Sequence, residues 1–245
     1  MMRCDRLQLL LPLPERHGFD SRDFIAAASN RDALAWLEAD WPDRRLALWG
    51  EEGCGKSHLL HIWAERHGGT VLSGPALTDA VMTDAGALPA SGCVALDDAD
   101  LVGPDEVLLH LLNTARDRAL SLLLSGRSPP ARWPARLPDL SSRLRAITAV
   151  EIGVPDDALL SALLMRLLAE RQLYVPPSIQ AWLLARLPRS PSVLRSVVAR
   201  LDRESLVTGR AITRPLAMDV LRSAGLITDD PAGEDSKTDG EPAWG

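Results

Sequence analysis

Gly50, Gly55, Lys56 and Ser57 stand in the spacing G-x-x-x-x-G-K-S, after the apolar run "RLALW" and before a run with helical periodicity. A glycine-rich turn of this kind points successive backbone N–H groups inward, and the following helix adds the positive end of its dipole. The resulting pocket accepts a phosphate chain. Lys56 then serves as a point charge for the β- and γ-phosphates, and Ser57 offers Oγ to Mg2+. The choice of cation is informative. Of 27 basic residues only two, Lys56 and Lys237, are lysine. A compact ammonium suits such a cradle where a planar guanidinium does not.

A phosphate loop needs an acid on a neighbouring strand. In "VALDD" three apolar residues lead into Asp97 and Asp98. Asp97 is placed to hold Mg2+ through water, and Asp98 to polarise an attacking water. The plain alternative is a pair of surface acids before the next helix. Asp98 is one methylene shorter than glutamate, so intrinsic hydrolysis is expected to be slow. Ser125 closes the apolar run "LLLSG" and reads equally as a γ-phosphate sensor or an ordinary strand end. From spacing alone, Arg143 in "LSSRLR" reads as a solvated helix face, a local ion pair or a functional group.

The elements that must position these residues follow from periodicity. Helices are expected over 30–40, with Asn30 as N-cap, and over 55–67, 104–119 and 138–146. Strands are expected over 45–50, 70–73, 93–100, 120–126 and 147–153. Alternation of this kind predicts an α/β fold with a parallel sheet. After Pro155 the pattern turns all-helical, with candidates over 156–171, 177–187, 191–208 and 215–224. The expected organisation is an N-terminal extended segment (1–18), a nucleotide-binding domain (19–153), a small helical domain (154–226) and a disordered acidic tail (227–245).

Composition sets limits. Over 245 residues the hydrophobic fraction is 46 % and the net charge −6, so the chain is globular and carries no molecule-wide basic field for nucleic acid. Three widely spaced cysteines give neither a disulfide framework nor a metal pair. No apolar run reaches about 18 residues, and the start of the chain lacks a cleavable signal pattern, so a cytoplasmic, membrane-free protein is expected.

The ordered set of phosphate loop, "LDD", sensor strand, short helix with "SR" and helical appendix resembles the AAA+ ATPases. "GKSHLLH", "LLLSGRSPP", "LPDLSSRL" and "RLDRESL" are similar to the DnaA branch, and within it to the Hda-like regulators that inactivate DnaA. This resemblance covers roughly residues 6–224. It implies an AAA+ fold with a five-stranded parallel sheet flanked by helices, plus an all-helical lid. It implies ADP or ATP with Mg2+, held by Gly50, Gly53, Cys54, Gly55, Lys56, Ser57 and His58. "DFIAAASN" (23–30) resembles the segment that lies along adenine, implicating Phe24 and Ile25, although Ala27 stands where glycine is common. Asp97 joins Ser57 at the metal, Asp98 and Ser125 take catalytic positions with Arg127 beside them, and Arg143 takes the place of an arginine finger. "QLLLPL" resembles the peptide that binds the β sliding clamp of DNA polymerase III, through Gln8, Leu9, Leu11, Pro12 and Leu13. DnaA is the implied partner, DNA is reached only indirectly through the clamp, and a homo-oligomer stays open. The lid arginine expected to contact nucleotide is replaced by Ser192, with Arg189 and Arg195 three residues either side. A self-sufficient ATPase such as a helicase loader, or a DnaA adaptor without catalysis, are the rival readings.

Overall fold

The computed structural model describes residues 25–78 and 88–227. Gln8 to Leu13, Phe24 and the acidic tail beyond residue 227 therefore lie outside the described residues.

Five strands form one parallel sheet: β1 (Arg45–Trp49), β2 (Thr70–Ser73), β3 (Cys93–Asp97), β4 (Ser121–Gly126) and β5 (Thr148–Glu151), in the order β2-β3-β4-β1-β5. The strands are near-continuously apolar because both faces are covered. Leu46, Leu48, Ala95 and Leu123 pack with residues of α1 (Arg31–Leu37) and α2 (Lys56–Arg66). The alternate residues Ala47, Val94, Leu96, Leu122 and Leu124 pack with α3 (Asp105–Asp117) and α4 (Pro138–Ala146). This order inserts β4 between the strand that feeds the phosphate loop and the strand that ends in Asp97. All three carboxyl ends meet at one edge, where ligands of open parallel sheets bind.

Four further helices follow: α5 (Asp157–Glu170), α6 (Pro177–Leu184), α7 (Pro191–Thr208) and α8 (Arg214–Ser223). They close around their own apolar cluster, with Leu164, Leu183, Val198, Leu201 and Leu221 fully buried. The Asp156 carboxylate caps α5 by accepting from Leu159 N at 2.7 Å, and Pro191 opens α7 at a position where a missing N–H costs nothing.

Several expectations need correction. The third strand stops at Asp97 rather than 100, because Asp98 turns left-handed (φ 51°, ψ 48°) and Ala99–Leu101 form a 3-10 turn. The last strand is four residues, and the helix expected over 177–187 ends at Leu184. Asn30 precedes α1 but does not cap it. Its amide turns back instead, accepting from Ala27 N at 2.9 Å and donating to Ile25 O at 3.0 Å, which ties down the lead-in segment. Ile25 in turn packs against the core of the C-terminal helices, and Gly153 N donates to Ser29 O at 2.8 Å. The lead-in segment thus bridges the sheet and the helical unit.

Candidate nucleotide site

The phosphate loop leaves β1 at Gly50 and enters α2 through Gly55, which sits left-handed at φ 110°. Two glycines are required by close approach. A Cβ at Gly50 would lie 2.4 Å from Ile152 O, and one at Gly53 would lie 2.1 Å from Ser190 Oγ. The loop is therefore wedged between the end of the sheet and the first turn of α7.

Lys56 is 6 % exposed. Its Nζ donates to Gly50 O and Glu51 O, each at 2.8 Å, with Cys54 Sγ at 3.9 Å. Among the described residues no carboxylate lies within ion-pair distance of it. A buried ammonium whose hydrogen-bond partners are all neutral keeps its charge for an anion. Residues Gly50 to Ser57 therefore fit a phosphate chain, with Ser57 at the second position of α2 and Asp97 across from it as the groups that would hold Mg2+. Cys54 is buried beside Lys56, and burial pushes its thiol up, so it remains a protonated packing group.

Ser125 is fully buried and organises the acids. Its Oγ donates to Asp97 Oδ1 at 2.5 Å and accepts from Asp98 N at 2.8 Å. The register Leu96↔Leu124 places Ser125 beside Asp97. Burial, then the charges of Asp97 and Asp100, push the Asp98 carboxyl above its ordinary value, and Lys56 partly opposes them. An ionised carboxylate so destabilised is a better acceptor for a water proton. Arg127 also ties the strands together. Its backbone N donates to Asp100 Oδ2 at 2.8 Å, and its guanidinium pairs with Glu52 of the phosphate loop at 3.1 Å.

The lid positions raised by the sequence separate clearly. Ser192 stands in the first turn of α7, its Oγ 2.9 Å from Ser190 Oγ and 2.9 Å from where a Gly53 Cβ would be. Arg189 points elsewhere, to Asp157 at 3.0 Å on the exposed face of α5. Arg195 lies within electrostatic reach of His58.

Arg143 is not brought to this site. It makes a two-point ion pair within α4, Nε to Asp139 Oδ1 at 3.0 Å and Nη2 to Asp139 Oδ2 at 3.2 Å. Arg45, the first residue of β1, feels its charge. Burial holds the Arg45 guanidinium below its ordinary value, Asp43 opposes, and Arg143 and Arg116 push it further down. Arg143 stands in the last turn of α4, which leads into the start of β5 at the amino-terminal edge of the sheet, whereas the phosphate loop leaves the carboxyl edge, roughly 15 Å along β1. A local ion pair was one of the readings open for Arg143, and Asp and Arg four apart on a helix carry it. A groove of about 360 Å3 between α1 and α2, lined by Leu34, Leu37, Leu59, Ile62 and Trp63 among others, includes no phosphate-loop residue.

Residues 156–221 match the family described as Hda, lid domain. The whole fold is similar to domain III of the Thermotoga maritima replication initiation protein DnaA, at TM-score 0.69 and 16 % identity, covering 86 % of this chain and 98 % of that one. Residues 156–221 are thus an Hda-type lid, and the fold of the chain is that seen in DnaA domain III. AMPPCP-bound DnaA from Aquifex aeolicus is similar at TM-score 0.61 and 17 % identity, over 75 % of this chain and 64 % of that one. A RuvB variant from Thermotoga maritima is similar at TM-score 0.61 and 18 % identity, over 82 % of this chain and 70 % of that one.

The contact between α2 and the Hda-type lid has a pH signature. Burial, then the charges of Arg195, His61 and Arg166, lower His58 to about 4. The folded protein keeps it neutral where the unfolded chain, with an ordinary histidine, takes up a proton. Stability contributed here is intact above about pH 6.5 and is lost as pH falls towards 4. After allowance for partial solvent screening, roughly 1–2 kcal/mol should disappear between pH 7 and 5. Urea unfolding of His58→Gln should show a shallower loss over that window, and an unchanged slope would refute the assignment.

Proposed function

We propose that this protein is an Hda-like negative regulator of replication initiation. It holds ADP or ATP with Mg2+ in its own phosphate loop, docks on the DNA-loaded sliding clamp through residues 8–13, and stimulates hydrolysis of ATP bound to DnaA. The observation that carries the reading is the placement of Arg143. A guanidinium at the amino-terminal edge of the sheet does not reach its own nucleotide at the carboxyl edge. It is available to a nucleotide held by a neighbouring molecule, where an arginine finger contributes about 10³ to 10⁵ in rate.

The resident nucleotide supplies structure more than turnover in this account. Ser192 and Ser190 face the phosphate loop where a lid arginine would otherwise contact the nucleotide, and Arg189 is engaged with Asp157. Lys56 and the loop amides bind, and Ser125 keeps Asp97 and Asp98 in register. Ser57 and Asp97 would hold Mg2+, which would supply neutralisation of the phosphate charge. No helix among the described residues is long and apolar enough to cross a membrane, and action on a chromosome-bound initiator puts the protein in the cytoplasm.

Delegating encounter to the clamp follows from effective concentration. A weak contact between two AAA+ modules becomes productive when DNA and clamp hold both partners together. A peptide with leucines and a proline can fill an apolar groove, while Gln8 makes hydrogen bonds. Purified protein mixed with ATP-bound DnaA, clamp and DNA should convert ATP to ADP only when all are present. Replacing Gln8 and Leu11 by alanine should abolish retention on immobilised clamp and drop conversion to the clamp-free level. Conversion that ignores the clamp would overturn the docking half of the proposal.

A further inference from the structure

We infer that Asp139 is a positioning residue for Arg143, fixing the guanidinium so that its free edge faces outward to the phosphates of a partner's nucleotide. The inference rests on the reading of Arg143 as a finger acting in trans.

A guanidinium has five N–H donors in one plane. Asp139 takes the Nε hydrogen and one Nη2 hydrogen through its two oxygens, at 3.0 and 3.2 Å. That uses the side of the fork nearest the aliphatic stem. Both Nη1 hydrogens and the second Nη2 hydrogen remain at the tip, the edge suited to two phosphate oxygens. Engagement therefore needs no release from Asp139. The Arg143 side chain is 21 % exposed and that of Asp139 58 %, so the arginine is the more buried member of a pair that still reaches the surface.

Electrostatics make the carboxylate necessary rather than incidental. Arg143 lies within charge reach of Arg45, which also feels Arg116. Arg45 is committed to Leu112 O at 3.3 Å, and Arg116 to Asp117 at 3.2 Å. Without Asp139, like charge would drive the flexible Arg143 side chain away from Arg45 and into solvent. Asp139 itself is stabilised by standing in the first turn of α4, at the positive end of the helix dipole. An arginine free to sample many rotamers must be ordered during each encounter, whereas the paired arginine is ordered beforehand.

The test compares Asp139→Ala, Asp139→Asn, Asp139→Glu and Arg143→Ala in clamp- and DNA-dependent hydrolysis of DnaA-bound ATP, over a range of DnaA concentrations. Asp139→Ala and Asp139→Asn should each lower the maximal rate about ten-fold. The DnaA concentration giving half-maximal rate should stay within about two-fold of wild type. Asp139→Glu, which keeps the charge at the same helical spacing, should restore at least half of the rate. The isosteric Asp139→Asn keeps the question open to test if the alanine variant folds poorly. Wild-type or faster turnover in both charge-free variants, with Arg143→Ala inactive, would overturn the positioning role and leave the finger intact. Full activity of Arg143→Ala would overturn the finger, and the role of Asp139 with it.

Discussion

Arg143→Ala is expected to bind nucleotide and clamp as the wild type does, yet convert DnaA-bound ATP about a thousandfold more slowly. The structural consequences of this substitution are small. What it removes from the fold is one pair four residues apart on a short helix, with the Asp139 side chain 58 % exposed. Such pairs contribute about 0.3–0.5 kcal/mol, so the melting temperature should move by no more than a few degrees. Leu140 and Leu144, which carry the buried face of α4, stay in place, and the added loss is the packing of the Arg143 stem, whose side chain is 21 % exposed. A large loss of turnover with normal folding and normal clamp retention therefore isolates the guanidinium's action on another molecule's nucleotide. The same experiment separates the rival readings. Stimulation equal to wild type would favour an adaptor that recruits DnaA without contributing to chemistry. Robust hydrolysis by the isolated protein, insensitive to Arg143 and to DnaA, would favour a self-sufficient ATPase.

The sequence was most legible where backbone geometry admits few residue types. Gly50, Gly53 and Gly55 announce a turn that other residues would break, and a Cβ at Gly50 or Gly53 does collide with its surroundings. The five strands were legible because burial on both faces demands unbroken apolar runs. Contacts between segments far apart in the chain were not. Nothing near Gly53 reveals that Ser190 of the lid closes against it, more than a hundred residues later. Nor does "LLLSG" reveal that Ser125 spends its hydroxyl on Asp97 and Asp98. Local competition hid other details. Asn30 has the composition of a helix cap, but its amide finds Ala27 and Ile25 before it finds α1. The third strand ends early because Asp98 accepts a left-handed turn, which aspartate tolerates better than most residues. Asp139 and Arg143 were legible as a helical pair, but its consequence emerges only once Arg45 is seen within charge reach.

Lys56→Met should separate binding from folding in a way few substitutions can. The ammonium is buried and donates to the carbonyls of Gly50 and Glu51 and to Cys54 Sγ, with no carboxylate within ion-pair distance among the described residues. Removing it takes away the cation that faces the phosphates, so nucleotide affinity measured by calorimetry should fall at least about a hundredfold. The nucleotide-free protein should respond in the opposite sense. Desolvating a buried ammonium costs several kcal/mol, which offsets the cost of about 1–3 kcal/mol for stranding each of its acceptors, the buried Gly50 carbonyl and the part-buried Glu51 carbonyl. The unliganded variant is thus expected to be as stable as wild type or more so. Wild type should gain about 2.7 kcal/mol at a nucleotide concentration one hundred times its dissociation constant, visible as a rise in melting temperature. The variant should show no such rise at the same concentration. A retained rise would mean that the loop amides hold the phosphates unaided. A variant that melts well below wild type before any nucleotide is added would mean that Lys56 is a structural cation, and the argument from its neutral partners would fail.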